Sequence, residues 1–449
     1  MRAFLGSLFM ACAALWAGAG PSPAALEASP RPAARPAAGQ PAALPAVALA
    51  AGVAVSPRPA ARPAPGPTTS TESHRVANTA FERWIDGFRP RAIRAGIAPE
   101  VYDRAFRGVR YNTSVIQKDR NQAEFTRQIW DYLDSAVSPT RVRNGREALR
   151  RHRQTLAAIE RRYGVEAEVV TAVWGLESAY GAYKGDIPVI EALATLAHDG
   201  RRKRFFEDQL IAALRILQSG DTAPGSMRGS WAGAMGHTQF IPTSYLAYAQ
   251  DFGGDGRRDI WGDDPADALA STAHYLAKAG WQKGQPWGVE VVLPRGFDFD
   301  RAGRRVKKSP SDWQRMGVRA ATGGTIPDHG PASILLPAGA RGAAFMIFDN
   351  FAAIERYNTA DAYVIAVGHL SDRIAGGGPI RAEWPRDDRA LSRNEKIEMQ
   401  ERLTRRGFDT RGIDGIIGPN TIAAVRAFQR SQGMVPDGYT SFEVLRRLR

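Results

Sequence analysis

The sequence predicts a mainly α-helical (α+β) protein: a large helical domain with a small β portion, then a small helical domain at the C-terminal end. Three observations carry this. Apolar residues recur at helical spacing from Ala80 onward, as in Ala80-Phe81-Trp84-Ile85-Phe88. Between Trp287 and Phe348 the texture changes to short apolar runs separated by Gly- and Pro-marked turns. Beyond residue 390, Ile397, Leu403, Ile422, Val425, Phe428 and Leu445 mark a compact helical module punctuated by Asp414-Gly415 and Asp437-Gly438. A chain of 449 residues has room for two or three such domains.

Residues 1–20 read as a secretory signal: Arg2, an apolar stretch from Ala3 to Trp16, then small residues. The stretch is too short to span a membrane. The single cysteine, Cys12, lies inside it, in a run that weakly matches a lipoprotein cleavage box. A soluble exported chain is therefore the expectation and a lipid-anchored one the minority case. Without Cys12 no thiol remains for disulfides, zinc-thiolate sites or cysteine catalysis. Residues 21–74 are Pro/Ala-rich with almost no aromatics, the composition of a disordered tether.

Residues 75–380 form the large domain. Helices are expected around Phe81, over Gln122–Leu133, over Gly145–Tyr163 and over Phe351–Ile374; Val289–Leu293 and Ala344–Phe348 are expected strands. Gly376-Gly377-Gly378-Pro379 closes this domain, residues 381–390 are a linker, and 391–449 are the C-terminal module.

Glu177 is the first candidate for chemistry. In the run Val169–Gly181, Val170, Val173 and Trp174 precede it by seven, four and three residues, so the acid extends an apolar helix face. Burial disfavours a charged carboxylate, and a neutral one is what general-acid cleavage of a glycosidic bond needs. The plainer alternative is a helix-end glutamate that turns into water. The stretch Gly229–Tyr245 is the second candidate. Its glycines and alanines let a ligand approach the backbone, and Ser230, Gln239 and Tyr245 offer groups suited to sugars. Tight helix packing would use the same small residues.

Leu176-Glu177-Ser178-Ala179-Tyr180-Gly181, followed by Ile190–Leu196, resembles the catalytic signature of lytic murein transglycosylases of the B type. Gly229–Tyr245 resembles their second signature, and Arg356-Tyr357-Asn358 with Tyr363 and Ala366–Leu370 a third. The resemblance spans about Ala80 to Ile374. It implies a lysozyme-like, mainly helical fold. It also implies cleavage of the β-1,4 bond between N-acetylmuramic acid and N-acetylglucosamine, leaving a 1,6-anhydromuramoyl end. The family's acid falls on Glu177, and its substrate contacts on Tyr132, Ser230, Gln239, Tyr275, Tyr357, Asn358 and Tyr363.

Ordinary glycosidases need a second carboxylate at fixed separation. The nearest in sequence, Asp186, Glu191 and Asp199, share no apolar stripe with Glu177. One acid acting first as acid and then as base is the consistent reading, with the sugar's own acetamido or C6 hydroxyl group as nucleophile. Ser230 is expected to position the acid or the acetamido group.

Asp251-Phe252-Gly253-Gly254-Asp255-Gly256-Arg257-Arg258-Asp259 follows the front of a calcium loop. Members of the resembled family can carry one. Asp251, Asp255, Asp259, the Arg257 carbonyl and Asp267 are thus candidate ligands of a structural calcium. Gly253 at position 3 and Gly262 at position 12 depart from the pattern, and a metal-free Asp/Gly turn is the competing reading. No cofactor is expected to be required.

The C-terminal segment resembles a three-helix peptidoglycan-binding module through Met399-Gln400-Leu403, Asp414–Gly418, Thr421–Gln429 and Asp437-Gly438. It is expected to add avidity. The net charge of +14 calls for an anionic partner. The arginines are dispersed and no nucleic-acid motif accompanies them, so nucleic acid is not expected. Peptidoglycan in the periplasm, with cell-wall synthesis proteins as further partners, fits better. The alternatives are a muramidase that hydrolyses with water and a non-catalytic wall-binding protein.

Overall fold

The computed structural model describes residues 68–120 and 127–449. The expected signal, Cys12 and most of the expected tether lie outside them. Helix α1 (Thr68–Arg94) begins before residue 74, where the expected tether ends.

After α1 come α2 (Pro99–Ala105), α3 (Thr113–Arg120), α4 (Ile129–Ala136), α5 (Pro139–Arg151), α6 (Arg153–Tyr163) and α7 (Ala167–Ser178). The single helix expected over Gly145–Tyr163 is thus two. His152 breaks it, with φ −103° and ψ 22°, and its ring packs edge-on to Trp174 at 5.4 Å. Strand β1 (Ile187–Pro188), α8 (Val189–Asp199), α9 (Lys203–Ser219), strand β2 (Arg228–Gly229), α10 (Pro242–Tyr248) and α11 (Ala266–Lys278) complete the first helical layer.

The β portion holds β3 (Gly288–Val292), α12 (Pro310–Arg315), β4 (Arg319–Ala320), β5 (Ser333–Leu335) and β6 (Ala344–Ile347). It forms one antiparallel sheet in the order β4-β3-β6-β5, with Glu290 opposite Phe345 and Ile334 opposite Met346. One face covers its own apolar cluster around Trp313, Phe297 and Val318.

Helices α13 (Asp349–Tyr357) and α14 (Asp361–Ile374) then return to the helical core. The expected continuous helix over Phe351–Ile374 is interrupted at Asn358, whose φ of −160° is extended backbone. Helix α7 lies at the centre, packed by α5, α6, α11 and α14. Every residue from Val169 to Ser178 is buried. The apolar face read from spacing is therefore too narrow a description: α7 is buried on all sides.

The C-terminal module comprises α15 (Arg393–Arg405), α16 (Pro419–Ser431) and α17 (Phe442–Leu448) around Met399, Leu403, Val425, Phe428 and Leu445. Ile397 and Ile422 are only half-buried. Ser392 and Glu395 close a reciprocal cap at the start of α15. Both Asp-Gly turns form, Gly415 at φ 76° and Gly438 at φ 78°.

Candidate active site

Glu177 sits in the last turn of α7 and is 1% exposed. The chain leaves that turn through three successive left-handed residues, Ala179, Tyr180 and Gly181 at φ 50°, 62° and 86°. Two of these carry side chains, so tertiary contacts must hold them there. Tyr180 Oη donates to the Arg141 carbonyl (2.7 Å), and a Cβ on Gly175 would come within 2.5 Å of the Tyr180 ring. Gly181 N donates to Ser178 Oγ (2.9 Å), which donates to the His237 carbonyl (2.5 Å). The exit from α7 is thereby tied to the second candidate stretch.

That stretch is also fixed from the other side. Strands β1 and β2 pair antiparallel, Ile187 opposite Gly229, and isolated bridges join Gly229 to Met235 and Met235 to Phe240. Gly229 and Gly236 are needed for close approach, since a Cβ would lie 2.1 Å from the Ala234 oxygen or 2.2 Å from the Ile260 oxygen. His237 is a structural bridge. Trp174 Nε1 donates to its Nδ1 (3.2 Å), so Nε2 carries the proton and donates to the Gly262 carbonyl (2.8 Å). Burial pushes its pKa below the ordinary histidine range, keeping the ring neutral.

Tyr363 Oη donates to Glu177 Oε1 at 2.6 Å, both groups fully buried. Tyr357 Oη donates to the Thr238 carbonyl (2.5 Å) and Tyr275 Oη to the Arg356 carbonyl (2.6 Å). The Tyr275 and Tyr357 rings lie 4.9 Å apart, with Phe240 packed on both. Burial first, and then the Glu177 carboxylate, hold the Tyr357 and Tyr363 hydroxyls well above the usual phenol range, so both stay protonated donors. Tyr132, half-buried on α4, packs against the core that contains Tyr363.

Ser230 Oγ accepts from Ala232 N (3.3 Å) and Ala234 N (3.0 Å), which braces the turn. Gln239 takes φ 54°, and its Nε2 donates to the carbonyls of Lys184 (3.0 Å) and Gly236 (2.8 Å). Among the described residues its Oε1 is buried without a partner, as is Asn358 Nδ2. Buried polar atoms are nearly always satisfied, so these two stand out among the candidate contacts.

The three other carboxylates weighed as partners for Glu177 are used elsewhere or exposed. Glu191 accepts from Asn112 Nδ2 (2.8 Å), Asp199 pairs with Arg120 (2.9 Å), and Asp186 is exposed. Sequence reasoning did not single out the carbonyls of Thr238, Lys184, Arg141 and Arg356 that fix the site. A backbone carbonyl carries no residue-type signal.

The candidate calcium loop is closed by bonds from its own backbone. Asp251 accepts the N–H groups of Gly254 (2.5 Å), Asp255 (3.2 Å) and Gly256 (2.9 Å), and Asp255 accepts that of Arg257 (2.9 Å). Asp259 accepts from Trp261 and Gly262, while Asp267 accepts from Phe252 (2.8 Å), Gly253 (3.2 Å) and Asp259 (2.8 Å). The carboxylates are turned onto their own backbone. Among the described residues no group of three His, Cys, Asp or Glu side chains is placed to hold a metal ion, so these residues as arranged do not fit one.

Residues 80–372 match the transglycosylase SLT domain family. The chain belongs to that family. Residues 392–448 match a peptidoglycan binding domain. The membrane-bound lytic murein transglycosylase B of Escherichia coli K12 is 33% identical over 251 residues, 54% of this chain and 66% of that protein. SltB3 of Pseudomonas aeruginosa, solved in complex with NAG-NAM-pentapeptide, is 51% identical with a TM-score of 0.80, covering 82% of this chain and 99% of that one. The Escherichia coli transglycosylase Slt35, solved in complex with calcium, is 29% identical with a TM-score of 0.56, over 66% of this chain and 93% of that one. The lysozyme-like, mainly helical fold class and the C-terminal helical module agree with these neighbours. Among the described residues no helix is long and apolar enough to cross a membrane.

Proposed function

We propose that Glu177 serves this peptidoglycan lytic transglycosylase as its acid and then as its base. The observation that carries the reading is a wholly buried carboxylate, joined to the family's signature, that accepts a hydrogen bond from the buried Tyr363 hydroxyl. As the acid, Glu177 protonates the glycosidic oxygen while the bond from that oxygen to the muramoyl C1 breaks. The C6 hydroxyl of the same sugar then bonds to C1, and its proton passes to the Glu177 carboxylate. The acid is regenerated and no water is consumed. No cofactor enters the scheme.

Tyr363 steadies the carboxylate between its two roles. Gln239 Oε1 and Asn358 Nδ2 meet polar groups of the glycan, since their other hydrogen-bonding atoms are already engaged. Tyr275 and Tyr357 shape the wall, their hydroxyls committed to backbone. Ser230 holds the loop and Tyr132 closes the side nearest α4. The proposal includes an exported, periplasmic workplace, where wall-synthesis proteins are within reach.

Muropeptide mass spectrometry after digestion of purified sacculi tests the chemistry. Anhydro ends from the wild type and none from Glu177→Gln support it. Products heavier by one water identify a muramidase, and retained turnover in Glu177→Gln removes Glu177 from the mechanism.

A further inference from the structure

Residues 381–389 follow the surface of the catalytic domain closely. Glu290 on β3 accepts the N–H groups of Arg381 (3.0 and 2.9 Å) and Ala382 (2.7 Å). Asp387 pairs with Arg341 (2.6 Å), and Asp388 accepts Phe442 N (3.1 Å) from the C-terminal module. The module is anchored in turn on the β portion: Asp437 accepts Ala340 N (2.8 Å), Arg426 reaches the Ala302 carbonyl (3.3 Å), and Arg430 pairs with Asp300.

Between these anchors, three side chains converge on one short helix, the eight-residue α4. Trp384 packs against the buried Trp130, ring centroids 6.3 Å apart. Arg386 forks onto Asp134 with bonds of 2.7 and 3.0 Å. Tyr439 of the module donates to Gln128, the residue that begins α4, at 3.3 Å. Trp130 and Asp134 are four apart and share a helix face. Tyr132, two residues from each, is about 200° around the helix from both, on the opposite side. Tyr132 packs against the core that contains Tyr363, and α4 lies against α14, the helix that carries Tyr363 and through it meets Glu177.

We propose that the linker and the docked module form a strap across the back of α4 that positions Tyr132 against the catalytic pair. The C-terminal module then contributes to turnover itself, beyond holding the enzyme on the wall. Trp384 and Arg386 are positioning residues. The proposal rests on the reading of Tyr132 as a substrate contact.

The test uses the full-length protein and a soluble N-acetylglucosamine–N-acetylmuramic acid tetrasaccharide, with hydrogen exchange followed across residues 129–136. In Trp384→Ala/Arg386→Ala, α4 exchange should quicken and kcat fall about tenfold with KM held within about twofold, as expected for misplaced rather than missing contacts. Trp384→Phe, which keeps a ring against Trp130, should restore most of the rate. Adding Tyr132→Phe to the double variant should cost little more, because both act through one contact. Unchanged exchange in α4, wild-type kcat with only sacculus binding lost, or strictly additive losses would each overturn the strap. Wild-type turnover in Tyr132→Phe alone overturns the positioning role while leaving Glu177 assigned; activity in Glu177→Gln strikes the mechanism, not the strap, which exchange reads independently.

Discussion

Glu177 and Asp267 are both carboxylates lowered into the interior, at 1% and 8% exposure, and they are answered by opposite kinds of partner. Three backbone N–H groups close on Asp267, from Phe252, Gly253 and Asp259. Three bonds from nearby backbone fix the acid as part of a turn. Glu177 instead faces a phenol, a neutral donor held by burial in its protonated form. A phenol can serve a charged or an uncharged carboxyl group. The difference teaches that what satisfies a buried acid decides whether it can do chemistry.

The largest effect that would break the comparison is at Glu177. Glu177→Gln should lower kcat on sacculi by about a thousandfold or more, with the melting temperature little changed because the amide can still accept from Tyr363. Unfolding of this variant would recast Glu177 as structural, like Asp267. Tyr363→Phe should cost about tenfold to a hundredfold in kcat, roughly 1.4–2.7 kcal/mol, read against soluble glycan.

Asp267→Ala should do the reverse. Three half-buried or exposed N–H groups would lose their acceptor, costing roughly 1–3 kcal/mol in chemical denaturation, while kcat per folded molecule stays near wild type. A third acid sharpens the scale between these two. Asp372 on α14 accepts one donor, Trp287 Nε1 at 2.9 Å, and burial raises it from 3.8 to about 6. Between those values the folded state binds more protons than the unfolded one, so this group's contribution falls as pH rises through that window. Asp372→Asn should therefore gain on wild type as pH rises from 4 to 7, by only a small amount because the residue as a whole is exposed and water screens it. Smallest of all, calcium added to chelator-treated protein should leave the melting temperature within about one degree, since ligand linkage stabilises only a state that binds. A shift of several degrees would mean that the loop carboxylates turn outward to take the ion.

Much of the fold was legible because helix and strand periodicities are local. The helix carrying Glu177, the strands at Val289 and Ala344, and both Asp-Gly turns appear where residue type demands them. The breaks at His152 and Asn358 did not announce themselves: neither is Gly or Pro, and packing holds each. Strand order was equally hidden, since β3 pairs with β4 and β6 across long stretches of chain. At the candidate site, the sequence singled out Glu177 and Tyr363, which the fold joins. It could not show that the Tyr275 and Tyr357 hydroxyls are bound to backbone while Gln239 Oε1 and Asn358 Nδ2 are not.

The sequence by itself determined the family, the helical class, the module at the C-terminal end and Glu177 as the residue to question. These rest on residue type and spacing, which a chain carries before it folds. Tertiary structure decided which acids are spent on their own backbone, which phenol meets Glu177, and that the linker lies across the back of α4. The last two depend on groups more than a hundred residues apart, as with Glu177 and Tyr363 or Arg386 and Asp134. Only folding brings such groups within hydrogen-bonding distance.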